Sequence, residues 1–431
     1  MQPFLYAKSF VSGKNIKRFS AIHKPISLLD IQGGNMKSSE SLSSFNLSVL
    51  WFGAAVSLAE ILTGALIAPL GLKEGLIAIV IGHLIGGILF YGAGKIGSDL
   101  KKPSIETTQL SFGRVGAPFF ATLNIVQLIG WTGVMIASGA SALGAVTLSW
   151  FGYTNLTVFC LLISGLIGIW ISIGFNRMKW LNLIAVISLF IVSVILGVIA
   201  FTSVGGEGAT RIASTGGMPF GVALELSIVM PLSWLPLISD YTRFSKHRVR
   251  GPIFSALGYF IGSTFMYMIG LGAALYAGTS DIATILIVAG LPVAALVIVL
   301  FSTVTTTFLD VYSAAISFNV LKKSNAKVVS LVVCLIGTIL AITVPTGYYE
   351  QFLYLIGSAF GPLFAILLTD YFILGKRKLD GMAHNFAIWV FGVILYRALM
   401  ALSWPIGVSL PTMCIISIVT LSVNKIFRRT I

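Results

Sequence analysis

The sequence predicts an all-α integral membrane protein with twelve transmembrane helices, and three observations lead there. Of 431 residues, 57% are hydrophobic and only 10% are charged, against roughly a quarter charged in a soluble domain. Apolar runs of about twenty residues, the length that crosses a bilayer core, recur along the whole chain. Lys and Arg collect in every second connection between those runs, the pattern left when positive charge is retained on the cytoplasmic side. A water-soluble enzyme, a disordered scaffold and a secreted disulfide module are excluded. Cys160, Cys334 and Cys414 stand singly in apolar runs and read as small core residues rather than metal ligands.

The apolar runs fall at 46–69, 74–94, 117–146, 154–174, 179–203, 218–239, 251–277, 292–320, 327–345, 349–373, 384–402 and 406–424. The stretch 281–289 is apolar but too short to span, and reads as a surface helix on the outer face. With the first span starting in the cytoplasm, twenty of the 28 Lys and Arg lie inside, both termini included. Only Lys73, Arg211 and Arg397 fall on or near the outer side. A wrong count would scramble this alternation, so the net charge of +14 is topological and no nucleic-acid partner is expected. A bacterial inner membrane is the expected location, with the lipid bilayer as partner.

Residues 1–35 carry no apolar core adequate for a signal peptide. The string Ile31-Gln32-Gly33-Gly34-Asn35 before Met36 reads like a translated ribosome-binding site. Met36 is therefore the expected start, with a cytoplasmic tail as the alternative, and 36–431 as one membrane domain.

Ionisable groups at membrane depth are costly and usually face a cavity or a partner. In the first span Gly53, Ser57, Glu60 and Gly64 recur on one helical face. A packing seam of small residues is the competing reading, but packing alone requires no acid. In the sixth span Glu225 precedes Pro231 and Pro236, each of which removes a backbone hydrogen bond, so a break is expected within 228–235. Either this is a simple kink or it is a substrate-lining break of the kind transporters use. The first span has no proline, and a break there rests on its glycines alone.

In the eighth span Thr303, Thr306, Thr307 and Asp310 follow i, i+3, i+4, i+7 spacing, which makes a hard-oxygen surface. Hydroxyls and carbonyls suit Na⁺, while a lone carboxylate can equally carry a proton. The third span offers Asn124, Gln127 and Trp131, the last two stacked one turn apart, an amide beside an aromatic plate that suits a flat heterocycle. His83, among Gly82, Gly86 and Gly87, reads as a satisfied structural histidine in a close helix crossing. No catalytic cluster, HExxH or phosphate-cradling glycine loop is present, so no enzyme is expected.

Asp240-Tyr241-Thr242-Arg243-Phe244 ends the sixth span, and Gly357-Ser358-Ala359-Phe360-Gly361-Pro362 leads to Asp370-Tyr371-Phe372 in the tenth. With Trp51-Phe52-Gly53, Thr63-Gly64 and Gly130-Trp131-Thr132-Gly133, these strings resemble the nucleobase:cation symporter-1 family. Within it they are most similar to the CytX-type branch for hydroxymethylpyrimidine, the pyrimidine precursor of thiamine. The resemblance implies a LeuT-like 5+5 inverted repeat with broken first and sixth helices: 46–203 and 218–373 as repeats, 384–424 as two accessory helices. It also implies Na⁺ held by the Gly53 and Val56 carbonyls with Thr306 and Thr307, with Thr303 on the same face, and an aromatic plate at Trp131 beside Gln127. The family's second plate falls at Pro231 here, which leaves Trp234 as its replacement. Thr307 and Asp310 also depart from the relatives' amides and small residues, so H⁺ stays open beside Na⁺.

The expectation is a secondary transporter that imports a small pyrimidine by cation symport. Trp131 would supply the plate, and a carboxylate, Glu60 first and Glu225 second, would meet the exocyclic amine, with Ser57, Gln127, Trp234 and Asp310 around it. The alternatives are a cytosine, purine or allantoin permease on the same scaffold, and a receptor that binds without transport.

Overall fold

The computed structural model describes residues 41–173, 175–202, 217–290, 292–402 and 404–430. The extension 1–35 with its boundary at Met36, and Arg211, lie outside the described residues. All twelve apolar runs fall on helices. Among the described residues nine helices are long and apolar enough to cross a membrane, and a bent pair in the first run makes a tenth. The fifth and twelfth runs are helical over Phe175–Thr202 and Ser409–Thr430, with shorter apolar stretches at Ile187–Thr202 and Ser409–Lys425. Helices are the natural outcome, since backbone groups in lipid must be satisfied within their own segment.

The first span divides into Ser44–Ala55 and Leu58–Leu66, the latter continued by a 3-10 turn, Ala68–Leu70, and the halves bend by 57°. The sixth divides into Phe220–Ser233 and Leu235–Thr242 at Trp234, inside the expected window, yet it remains a single 23-residue span without a comparable bend. The two breaks thus differ in the opposite sense from the proline count. Pro236 occupies the first turn of the second half, where its missing N–H costs nothing, and Pro231 is taken up against Gly86, where an added Cβ would stand 2.1 Å from the proline Cγ.

Neighbouring spans follow a pattern. The first span packs on the seventh (Arg250–Ala277) as the sixth packs on the second (Leu72–Leu100). The third (Gln109–Phe151) meets the ninth (Ala326–Thr343) as the eighth (Pro292–Leu321) meets the fourth (Leu156–Ile173). Adding or subtracting five converts each pair into its counterpart, which is what an internal repeat of five spans requires. The sixth span is buried over 89% of its apolar window, whereas the fourth, the ninth and the eleventh (His384–Ala401) are buried over 33%, 39% and 28%, so the sixth lies at the centre and these three at the periphery.

Close crossings fix the core. Gly64 and Gly270 lie on facing backbones of spans one and seven: a Cβ on Gly270 would stand 2.0 Å from the Ile61 carbonyl oxygen. The third span turns sharply at Gly113 (φ 65°), a conformation that favours glycine. Of the three glycines around His83, Gly82 and Gly86 meet the sixth span at such short range, whereas Gly87 has ordinary contacts. Cys160 and Cys334 are buried as expected, but Cys414 is exposed, which corrects its reading as a core residue. The 281–289 stretch forms the short helix Ile282–Val288, capped by Asp281, whose carboxylate accepts from the Thr284 N–H at 2.8 Å.

Candidate functional site

At the break in the first span the Val56 N–H bonds the Phe52 carbonyl at 3.1 Å, and the Ser57 N–H bonds Ala55 at 2.9 Å. In an uninterrupted helix the Ser57 N–H would serve Gly53. The Gly53 carbonyl is thereby released from its helical donor, a consequence of the break itself.

Six of the expected residues surround one small void: Ser57, Glu60, Trp131, Trp234, Thr306 and Asp310. Met135 and Met230 complete its apolar wall, and no Lys or Arg reaches it. The void measures about 20 Å³, room for about one water, so any ring-sized ligand requires the two Trp or the two Met side chains to move apart. Trp234 also leans on Trp51, ring centroids 5.8 Å apart, within an aromatic cluster with Tyr259 and Phe90.

Glu60 is fully buried, and both its oxygens are held. Tyr259 Oη donates to Oε1 and Ser263 Oγ lies on Oε2, each at 2.7 Å. His83 is satisfied at both nitrogens, by the Ile79 carbonyl at 2.8 Å and by the same Ser263 Oγ at 2.7 Å. Tyr259 and Ser263 were missing from the sequence reading. Their signal is the i, i+4, i+8 stripe Tyr259, Ser263, Tyr267 on one face of the seventh span. Asp310 is likewise a buried carboxyl on the void wall.

Other expected residues are placed elsewhere. Glu225 is no candidate for meeting a substrate. It accepts from Tyr396 Oη, the Val408 and Ser409 N–H groups and Ser409 Oγ at 2.6 to 2.7 Å. This carboxylate staples the sixth span to the accessory helices, which supply the donors that make burying an acid there affordable. Glu225→Ala strands two buried backbone donors and is expected to cost about 2–6 kcal/mol, about 1–3 for each unsatisfied group, read as a lowered Tm of the purified protein. Gln127 does not line the void either: its amide donates to the Ser233 carbonyl at 2.9 Å and to Asn124 Oδ1 at 3.1 Å, bracing the backbone just before Trp234. Thr303 packs against Gly139 of the third span, and Thr303 and Thr307 both lie outside the void wall. Their hydroxyls are buried without a hydrogen-bond partner among the described residues. A released Gly53 carbonyl and unpartnered threonine hydroxyls are hard oxygen donors, which fit a small monovalent cation.

A larger cavity of about 450 Å³ is lined by Gly130, Gly133, Tyr349, Phe352 and Asp281 among others. Trp131 separates the two spaces, its ring 6.0 Å from Tyr349 and 5.5 Å from Phe352. Tyr349 Oη also bonds Thr63 Oγ1 at 2.7 Å. The opposite end is densely bonded: Ser104 N–H to Asp240 at 2.9 Å, Ser239 Oγ to the Ala93 carbonyl at 2.8 Å, and Asp370 to Asn424 and Lys376 at 2.9 Å each. The strings around Asp240 and Asp370 thus serve to close that end.

The sequence model of the family described as permease for cytosine/purines, uracil, thiamine, allantoin matches residues 37–410. A cytosine permease of Escherichia coli (strain K12) is 24% identical over 341 residues, covering 78% of this chain and 79% of its own. A hydantoin permease of Microbacterium maritypicum is 24% identical over 372 residues, 79% and 75% of the two chains. The inward-facing structure of Mhp1 superposes with a TM-score of 0.73 at 18% identity, over 92% of this chain and 93% of that one. A closed form of Mhp1, a nucleobase-cation-symport-1 transporter with bromovinylhydantoin bound, gives 0.70 at 20% identity, over 91% and 94%. The all-α membrane architecture, with its LeuT-like 5+5 repeat, is shared with them.

Proposed function

The chain belongs to the family of permeases for cytosine, purines, uracil, thiamine and allantoin, the nucleobase-cation-symport-1 family, and from that premise we propose that it imports a small pyrimidine, hydroxymethylpyrimidine first, by symport with Na⁺. The observation that carries this reading is the void wall: two carboxyls, two hydroxyls and two Trp side chains, with no basic residue to balance the acids. A buried carboxyl without a basic neighbour calls for a cation or a proton, and paired indole faces suit a flat ring.

In this reading the substrate ring enters between Trp131 and Trp234 as their side chains part. An aminopyrimidine edge sets an N–H donor beside a ring nitrogen, and the Glu60 carboxyl meets both atoms when protonated. Ser57 and Asp310 flank the ring, and a wrong heterocycle leaves a buried acid unpaired, which is the source of selectivity. Na⁺ would be held by the Gly53 and Val56 carbonyls with Thr306 and Thr307, where it supplies positive charge at the end of a half-helix. The protein lies in a bacterial inner membrane with both termini in the cytoplasm.

The similarity to a cytosine permease favours cytosine as the second substrate to try. Proteoliposomes preloaded with hydroxymethylpyrimidine, cytosine, allantoin or a hydantoin are to be assayed for counterflow with and without Na⁺. Exchange of hydroxymethylpyrimidine that depends on Na⁺ is expected, and its loss in Trp131→Ala. Binding without exchange marks a receptor, and exchange of cytosine alone reassigns the substrate.

A further inference from the structure

Three buried groups from three spans, Glu60, Ser263 and His83, form a chain whose hydrogen atoms can be counted. The Ile79 carbonyl at 2.8 Å can only accept, so His83 Nδ1 carries a proton. Ser263 Oγ then stands 2.7 Å from His83 Nε2 and 2.7 Å from Glu60 Oε2. A serine has one hydroxyl proton, and two contacts of that length need two. With ionised Glu60 and neutral imidazole, one contact would set lone pair against lone pair. The chain therefore requires a second proton, on Glu60 Oε2 or on His83 Nε2.

The two placements interconvert by a balanced shift. The Glu60 carboxyl gives its proton to Ser263 Oγ as the Ser263 hydroxyl gives its own to His83 Nε2. A neutral acid and imidazole become a carboxylate and an imidazolium, with no change in total charge. We propose that Glu60, Ser263 and His83 constitute a single proton site at membrane depth, whose second proton is taken from water on the side where substrate enters and given up to water when the void opens on the other side, so that the carboxyl facing the void switches between donor and acceptor and net transport is proton-linked.

The surroundings leave this proton few other places to go. The groups facing the chain are Tyr259, on Glu60 Oε1, and Tyr267, whose ring lies 4.5 Å from His83 and whose hydroxyl donates to the Leu226 carbonyl at 3.2 Å. Tyr349 is tied to Thr63, and Asp310 faces Glu60 across the void. The sixth span contributes Ser227, bonded to the Ala223 carbonyl. None of these neighbours is basic. The inference rests on the void being the transport site, and the test separates the two claims.

Proteoliposomes holding a trapped pH dye, with equal Na⁺ on both sides, are given the substrate that passes the counterflow assay. Wild-type protein is expected to acidify the lumen as substrate enters, with net uptake changing at least about tenfold between roughly pH 5.5 and 8.5, the range that brackets the ordinary imidazole value. His83→Gln and Ser263→Ala should keep counterflow, which needs no net proton movement, while losing acidification and the pH dependence of net uptake. Absence of acidification in the wild type, or acidification unchanged in either folded variant, overturns the proposal. Should both variants fail to fold, the wild-type dye signal alone decides. If no heterocycle exchanges at all, it is the transport reading that fails.

Discussion

Glu60→Gln abolishes net uptake while leaving the purified protein folded, and this is the largest functional effect expected from a single substitution. The amide preserves the local contacts: Oε1 still accepts from Tyr259, and Nε2 donates to Ser263 where a protonated carboxyl would. What it cannot do is ionise, so the side chain is fixed as one half of a two-state group. A side chain that can neither take up nor give up a proton cannot couple substrate entry to a proton gradient, and accumulation is lost. Radiolabel uptake alongside size-exclusion chromatography checks it, and normal accumulation by the variant removes Glu60 from the site.

Gly270→Val is expected to eliminate folded protein, the largest structural effect. A Cβ at this position would meet the Ile61 carbonyl oxygen at 2.0 Å and the Ala65 nitrogen at 2.9 Å, both backbone atoms that no rotamer change can move aside. The reciprocal position, Gly64, faces the Tyr267 carbonyl oxygen at 2.2 Å, so the crossing has no slack on either helix. Spans one and seven would have to separate, which disrupts the seat of Glu60 through Tyr259 and Ser263. Overpacking in a core that can adjust costs about 1–3 kcal/mol, and a backbone collision exceeds it. The variant should give no monodisperse peak in detergent, and Gly270→Ala a weak one. A wild-type elution profile for Gly270→Val refutes the argument.

Much of the architecture was legible because membrane insertion writes it in one dimension: apolar length and the side on which Lys and Arg fall are local quantities. The convergence of Ser57, Glu60, Trp131, Thr306 and Asp310 on one void was legible for a related reason, since each is a polar or aromatic exception on an apolar face. Glu225 looked like the same kind of exception. Its partners, Tyr396, Val408 and Ser409, lie more than 170 residues away and two of its four donors are backbone, which no side-chain pattern announces. Gln127 failed similarly, because its acceptor is the Ser233 carbonyl. The sharper bend in the proline-free first span has the same root. Proline marks where a hydrogen bond must be missing, whereas the break at Val56 and Ser57 comes from a choice of acceptor that only the folded backbone reveals. His83 was recognised as satisfied, but the identity of its partner linked it to Glu60 across 23 positions of sequence and a third helix.

Trp131 and the Tyr349–Thr63 bond make a wall one side chain thick between the 450 Å³ cavity and the small void. Trp131 and Tyr349 are buried, so their rings turn more slowly than the picosecond-to-nanosecond flips of exposed side chains, yet turning them involves far fewer contacts than the sliding of packed helices, which takes microseconds or longer. Entry from the roomy side is thus a matter of swinging a few rings, and departure through the bonded side needs whole elements to shift against Asp240, Ser239 and Asp370. The two doors have unequal weight, and the heavier one sets the turnover.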